Sequence, residues 1–137
     1  MSLLSQNQAE RIVKATLEAA RLRNAPPMSV AVVDAGGHLQ FAVREDGGGL
    51  AGIDIAAGKA RAGMLFKCSS RQIADGLSGN PQAFQSVLSL LGGRIVLLPG
   101  AVLLKTPDGE ILGAVGAAGG APLEDEAIAE VGANVVL

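Results

Sequence analysis

The feature that most constrains the fold of this chain is a high apolar content with almost no aromatic side chains. Hydrophobic residues make up 49% of the 137 residues, whereas aromatic residues make up 2%, with three Phe and no Trp or Tyr. The core must therefore be built from Ala, Val, Leu and Ile. The same scarcity excludes the aromatic stacking platforms on which single-stranded nucleic acids bind.

The charge balance and the length set further limits. Lys and Arg number 11 and Asp and Glu number 13, which gives a formal net charge of −2 at pH 7. Since binding to phosphates requires clustered positive charge, nucleic acid is not expected as a partner. The length predicts one domain over residues 1–137. No segment has the pattern of a targeting signal or the length of a membrane span, so we expect a cytoplasmic protein with no membrane partner.

Helical periodicity occurs in four segments. They begin at the Ser5–Gln8 capping box, at Leu50, at Asn80 followed by Pro81, and at Pro122 followed by an acidic turn. The second segment, which ends at Lys67, contains Gly52, Gly58 and Gly63, and each glycine costs about 1 kcal/mol relative to Ala inside a helix. Another part of the protein is therefore expected to approach this helix closely.

Five segments predict strands, at residues 28–34, 38–44, 94–98, 101–106 and 110–116. A glycine turn at 35–37 makes the first two a β-hairpin, and the Pro-Asp-Gly turn at 107–109 joins the last two strands of a meander. The order of helix, hairpin, helices, meander and helix predicts an α+β domain with about five mainly antiparallel strands and helices packed against them.

A set of short motifs runs along nearly the whole chain. They are VAVVDAGGHL at 30–39, REDG at 44–47, KA at 59–60, GGR at 92–94, PG at 99–100, DGEILGAVG at 108–116, GGAP at 119–122 and DEA at 125–127. Together they resemble the GlcG/HbpS family, which includes the C-terminal domain of PduO-type proteins. The resemblance implies a profilin-like three-layer α/β/α fold with a five-stranded antiparallel sheet, and assembly into homo-oligomers. Members of that family are associated with haem binding, corrinoid-linked diol metabolism and the glycolate locus.

His38 is the only histidine in the chain and Cys68 is the only cysteine. Together they cannot supply the four ligands of a structural zinc site, and Cys68 cannot form a disulfide within the chain. His38 is thus the candidate for imidazole ligation of haem iron, the cofactor that the resemblance implies, or for a near-neutral proton switch. A solvated histidine beside a turn is the plain alternative. Because His38 and Arg44 are six residues apart, an unbulged strand would direct both to one face.

Two cations are further candidate ligand-binding residues. Arg44 could hold a carboxylate-bearing ligand in bidentate fashion, with Asp46 beside it, and Lys59 could act as a point charge. Ion pairs of Arg44 with Asp46 and of Lys59 with Asp54 are the alternatives. Since small apolar residues surround Lys59 on its helix, its ammonium is expected to be partly buried and must then be paired or lose its proton.

Gly119 and Gly120 precede the last predicted helix. Free backbone N–H groups at such a position could bind a carboxylate or a phosphate. The acidic residues 124–126 occupy the first turn of the same helix and would compete with a bound anion. Helix capping by these side chains is therefore the alternative to a ligand site.

Three functions remain open at this point. The first, which the resemblance favours, is a small-ligand-binding accessory protein that binds haem or a related tetrapyrrole. The second is an enzyme or accessory subunit acting on a small diol or hydroxy acid, with His38 or Lys59 as general base. It ranks lower because the sequence offers no complete set of nucleophile, base and orienting group. The third is an assembly protein whose glycine-rich helix packs through Gly58 and Gly63 against a second copy.

Overall fold

A four-stranded antiparallel sheet organises residues 3–135, which are the residues that the computed structural model describes. The strands are β1 (Ser29–Asp34), β2 (Leu39–Arg44), β3 (Ala101–Lys105) and β4 (Ile111–Ala118). The helices are α1 (Gln6–Leu22), α2 (Gly52–Phe66), α3 (Ser70–Leu77), α4 (Pro81–Leu90) and α5 (Pro122–Ala133). The spatial order β2-β1-β4-β3 places β1 and β4 in the centre and β2 and β3 at the edges. The predicted α+β class is confirmed.

The two faces of the sheet carry side chains of different size. Val30, Val32 and Val115 pack in one cluster with residues of α1 and α5. Ala31 and Ala114 lie on the opposite face, in clusters with residues of α2. Successive strand residues point to opposite faces, so this alternation of large and small side chains sets one helix layer farther from the sheet than the other. Helices therefore cover both faces, as the resemblance implied.

The prediction of a fifth strand at residues 94–98 is wrong. This segment has no strand pairing, and it lies against α2 rather than at an edge of the sheet. A Cβ on Gly58 would be 2.7 Å from Cγ2 of Val96, and Ile95 and Leu97 are buried with Ala62 of α2. The apolar pattern of the segment thus reflects burial against a helix, and sequence periodicity alone does not distinguish that from a strand.

The pairing of β1 with β2 contains a bulge, which affects the faces to which side chains of β2 point. Val32 is opposite Phe41, whereas Val33 is opposite Leu39, so Gln40 is an extra residue without a partner in β1. Such a bulge reverses the alternation of faces on the far side of it. The expectation that His38 and Arg44 share a face assumed an unbulged strand, and that condition is not met; His38 also lies in the turn before β2 rather than in the strand.

Local signals account for most helix starts. The Ser5–Gln8 capping box and the Asn80 cap both form, with the Ser5 Oγ accepting from Gln8 N at 3.1 Å and the Asn80 Oδ1 accepting from Ala83 N at 3.0 Å. Helix α3 was not predicted, although Ser69 and Gln72 form a second capping box at its start. None of the helices in the described part of the chain is long and apolar enough to cross a membrane.

Candidate functional site

The structure places the predicted site residues at two opposite ends of the sheet. His38 lies at the β1–β2 turn, whereas Arg44 and Asp46 lie where β2 ends and the following loop begins. Gly119 and Gly120 follow β4 at the same end as Arg44, because Ser29 of β1 is paired with both Arg44 and Ala118. Six strand residues at roughly 3.3 Å each separate the two ends by about 20 Å.

Lys59 is buried and paired with Asp125. Its side chain is 2% exposed, and its Nζ donates to Asp125 Oδ2 at 3.1 Å and to the Ala117 carbonyl at 3.0 Å. Lys59 belongs to α2 and Asp125 to α5, which pack on opposite faces of the sheet. The ammonium therefore reaches past the end of the sheet and joins the two helix layers. The expected burial is confirmed, and the partner is Asp125 rather than Asp54.

Gly100 makes room for this ammonium. A Cβ on Gly100 would be 2.7 Å from Lys59 Nζ and 2.8 Å from the Ala117 carbonyl oxygen. The residue also has a φ of +139°, a conformation that other residues rarely adopt. The Pro99–Gly100 motif thus serves the packing of a buried ion pair.

Asp125 also binds the glycine pair that precedes α5. Its Oδ1 accepts from Gly120 N at 2.9 Å, so this N–H is used within the chain. Burial raises the pKa of Asp125, while the Lys59 ammonium and the Gly120 N–H oppose that rise by stabilising the carboxylate. The neighbouring Glu126 is 7% exposed and binds Arg71 of α3, with an Nε–Oε2 distance of 2.8 Å. Two acidic side chains in this turn are thus committed to contacts with other helices.

Arg44 and Asp46 are both exposed and do not bind each other. In the part of the chain that the structure describes, no ion pair or hydrogen bond reaches the Arg44 guanidinium. Its aliphatic stem lies over the glycine loop, since a Cβ on Gly48 would be 2.9 Å from Arg44 Cγ. Arg44 therefore remains a free surface cation.

The His38 end of the sheet borders a cavity of about 470 Å³ that we call the hairpin cavity. It lies between the β1–β2 turn, α2 and residues 91–95. Its apolar lining residues are Leu39, Met64, Leu65, Leu91 and Ile95, and its polar side chains are those of His38, Arg61 and Arg94. Ligand sites typically combine such an apolar wall with a few polar groups and have volumes of roughly 300–1,000 Å³.

The two arginines of the hairpin cavity lack acidic partners. The only hydrogen bond of either side chain within residues 3–135 is a long one of 3.4 Å from Arg61 Nη1 to the Arg94 carbonyl. No ion pair reaches either guanidinium in that range, and no carboxylate is among the residues that line the cavity. Two uncompensated positive charges therefore face one apolar-walled space. Sequence reasoning missed Arg61 and noted Arg94 only within the GGR motif, because no local signal links residues 33 positions apart.

Asp34 orders the turn that carries His38. Its Oδ1 accepts from Gly36 N and from His38 N, each at 2.9 Å, and lies 3.3 Å from His38 Nδ1. The His38 side chain is 83% exposed. An Nδ1–H directed at Asp34 leaves the Nε2 lone pair free, and metal-binding histidines commonly have this carboxylate contact.

Cys68 is partly buried just after α2. Burial raises the pKa of its thiol, so the neutral form is favoured near pH 7. No group of three or more His, Cys, Asp or Glu between residues 3 and 135 is arranged to hold a metal ion. Cys68 is not among the residues that line the hairpin cavity.

Comparison with known proteins identifies the family. The family model described as "Haem degrading protein HbpS-like" matches residues 4–134. The chain belongs to the HbpS-like family. Among curated proteins, none matches this chain by sequence.

Solved structures agree with membership of the HbpS-like family. A double mutant of Streptomyces reticuli HbpS is 26% identical, with a TM-score of 0.85 over 100% of this chain and 89% of that chain. A PduOC–haem complex is 24% identical, with a TM-score of 0.84 over 96% of this chain and 94% of that chain. Klebsiella pneumoniae ORFY is 21% identical, with a TM-score of 0.87 over 98% and 91%. The last two similarities establish the HbpS-like fold alone.

Proposed function

We propose that this HbpS-like protein is an accessory protein that binds haem or a related tetrapyrrole in the hairpin cavity. The observation that carries the proposal is the pair of unpaired guanidinium groups, of Arg61 and Arg94, on a cavity that is otherwise mainly apolar. A tetrapyrrole has the matching chemistry, because its macrocycle is apolar and its propionates are carboxylates. Arginine binds carboxylates through two parallel hydrogen bonds.

Each part of the cavity has a separate role in this proposal. Met64, Leu65 and Ile95 would contact the macrocycle and exclude water from it, while the two arginines would bind the propionates. His38 would supply the axial ligand through Nε2, with its Nδ1 held by Asp34. Bound haem would bring the redox and ligand-binding chemistry of its iron.

The comparisons support this choice of ligand. The matching family model is named for a haem-degrading protein, and a protein of the same fold has been crystallised with haem. The enzyme alternative had two candidate general bases, His38 and Lys59. Lys59 is unsuited to that role, because its ammonium is enclosed by the protein oxygens that bind it. The assembly alternative loses its basis too, since Gly58 packs on Val96 and Gly63 on Cys68 of the same chain.

Haemin titration of the purified protein, followed in the Soret region, tests the proposal. We expect a saturable spectral shift at a fixed ratio of haem to protein. His38→Ala should change the spectrum of the bound form, because the axial ligand is lost. Arg61→Ala and Arg94→Ala should each weaken binding by roughly 10- to 100-fold, the loss expected when a charged hydrogen bond of about 1.5–3 kcal/mol is removed. Arg11→Ala, which removes an exposed arginine from α1, is the matched control.

Arg44→Ala separates the two ends of the sheet. Arg44 is also an exposed and unpaired arginine, and the sequence marked it, with Asp46, Lys59, Gly119 and Gly120, as a ligand-binding candidate. If Arg44→Ala binds haem more weakly while Arg61→Ala and Arg94→Ala keep the wild-type affinity, the haem site lies at the Arg44 end of the sheet and not at the hairpin cavity. A spectral change that never saturates would contradict haem binding at either end.

A further inference from the structure

A buried hydroxyl group without a hydrogen-bond partner lies at the end of the sheet where β1 begins. It belongs to Ser29, which is 1% exposed, and within residues 3–135 its Oγ neither donates to nor accepts from another group. Such a hydroxyl lowers stability, because it loses its bonds to water and gains none in return. Alanine would fill the same space without that loss. A partner from outside the chain would account for the hydroxyl.

The Ser29 hydroxyl is directed at the first residue of α2. A Cβ on Gly52 would overlap Ser29 Oγ, so the hydroxyl occupies the space beside the glycine backbone. Ala31 and Val33, two and four residues further along β1, pack against α2, which places Ser29 on the same face of the sheet. The hydroxyl therefore lies at the N-terminus of a 15-residue helix.

This N-terminus also has backbone donors without acceptors. Ala51 occupies the N-cap position, and no side chain caps the helix. The Ile55 N–H donates to the Ala51 carbonyl at 2.9 Å, whereas the N–H groups of Ile53 and Asp54 have no acceptor in the described part of the chain. Free N–H groups at the positive end of a helix dipole favour a bound anion.

Arg44 adds a free cation at the same place. It is paired with Ser29 across β1 and β2, and residues paired in this way carry their side chains on one face of the sheet. Its stem lies over Gly48, in the loop that leads into α2. No ion pair reaches its guanidinium within residues 3–135. An unpaired guanidinium, an unpaired hydroxyl and two free N–H groups thus lie together, and all of them can donate to an anion.

Two acidic side chains limit the charge of that anion. Asp46 and Asp54 are both exposed near the loop between β2 and α2, so a dianion such as phosphate would be repelled by both. A carboxylate carries a single negative charge and has two oxygens, which suits bidentate binding by Arg44. The local charge therefore favours a carboxylate over a phosphate.

We propose that the start of α2 binds the carboxylate group of a small metabolite. The carboxylate accepts hydrogen bonds from the Ser29 hydroxyl, the Arg44 guanidinium and the free N–H groups of the first helical turn. Because the hydroxyl is closed to solvent in this structure, the loop at 47–51 must move outward to admit the carboxylate, and the three successive glycines at 47–49 permit that movement. This site goes beyond the proposed function, since about 20 Å of sheet separates it from the hairpin cavity.

Titration of the haem-free protein with sodium acetate, followed by backbone amide NMR shifts, tests the proposal. We expect a saturable shift of the Ile53 and Asp54 amides, and none with sodium chloride at the same ionic strength. Ser29→Ala and Arg44→Gln should each raise the dissociation constant of acetate by roughly tenfold, because each removes a hydrogen bond to a charged group. Arg11→Gln, which removes an exposed arginine from α1, is the matched control and should not change it.

The melting temperature of Ser29→Ala separates a ligand site from a packing role. In chloride this variant should melt at or above the wild-type temperature, because it loses only an unpaired buried atom. A lower melting temperature would mean that the hydroxyl has a partner within the chain and would contradict the site.

Three results of the titration would overturn the proposal. They are acetate shifts that chloride reproduces, an acetate affinity that Ser29→Ala leaves unchanged, and tighter binding of phosphate than of acetate at mildly alkaline pH, where phosphate is mainly a dianion. Since no haem is present in this experiment, its failure would leave the haem proposal standing.

Discussion

The buried Lys59 ammonium connects several elements of the fold. It contacts α5 through Asp125, the end of β4 through the Ala117 carbonyl, and the space opened by Gly100. A charge that is 2% exposed is tolerated only when it is paired and hydrogen-bonded. The sequence predicted the burial from the small neighbours of Lys59. It did not identify the partner, because 66 residues separate Lys59 from Asp125 and only the tertiary fold brings them together.

Removal of one partner of the Lys59–Asp125 pair should lower the free energy of unfolding far more than removal of both partners. Lys59→Met leaves a buried carboxylate without its counter-ion, and we expect a loss of about 3–5 kcal/mol in the free energy of unfolding. In Lys59→Met/Asp125→Asn the amide oxygen still accepts from Gly120 and no charge remains buried. The double variant should therefore lose less than the sum of the two single variants, as urea unfolding would measure.

Additive losses in that double-mutant cycle would contradict an energetic coupling of the pair. Asp54→Asn is the control, because Asp54 is the exposed acid on α2 that sequence reasoning offered as the alternative partner. It should leave the free energy of unfolding within about 0.5 kcal/mol of the wild type.

At the scale of elements, the contact between α2 and β4 depends on a glycine in the strand, which has no side chain to hold the helix away. A Cβ on Gly116 of β4 would overlap the Ala56 carbonyl oxygen, so the α2 backbone lies directly on the strand there. The glycines of α2 predicted such a close approach, and Gly58 against Val96 and Gly63 against Cys68 confirm it. Which segments approach could not be predicted, because a glycine shows that space is needed and not what fills it.

Alanine substitutions at two glycines should change stability in opposite directions. Gly116→Ala forces α2 away from the sheet and should lower the free energy of unfolding by about 1–3 kcal/mol, the usual range for overpacking. Gly76→Ala in α3 meets nothing within 4 Å and should raise it by about 0.5–1 kcal/mol, because alanine restricts the unfolded chain. Urea unfolding compares the two. Equal effects of both variants would contradict a close α2–β4 contact.

The two elements that sequence reasoning misassigned pack against the same helix, although α4 lies between them in the chain. Residues 94–98 were predicted as a strand, and α3 was not predicted at all. Both pack against α2 through Ala62, Ile73, Ile95 and Leu97, in a cluster apart from the main core. The apolar pattern of residues 94–98 reflects the helix surface that buries them and does not distinguish a strand from a loop. Helix α3 has a capping box of its own, so its start was present in the sequence and was overlooked.

At the scale of the whole molecule, stability is expected to be uneven. The central strands β1 and β4 are almost entirely buried, whereas α4 has no fully buried residue. Regions with few buried contacts open at lower free energy than the core.

Hydrogen exchange should resolve this difference. The amides of α4 should lose protection at urea concentrations at which those of β1 and β4 keep theirs. Helix α1 is the matched control, because it is also a surface helix but buries one face, including Ile12 and Val13. Equal protection in α4 and α1 would mean that the whole molecule opens as one unit. Haem bound in the hairpin cavity should add protection near Leu91 and Ile95, which line that cavity.

The strand order also governs when the chain can fold during its synthesis. A nascent chain that ends at Gly100 contains α1, the β1–β2 hairpin and α2, but neither β4 nor α5. In that state β1 lacks one of its two neighbours, and the Lys59 ammonium lacks both the Ala117 carbonyl and Asp125. The core therefore closes only after the last quarter of the sequence has left the ribosome. Until then the valines of the hairpin are open to chaperones and to other nascent chains.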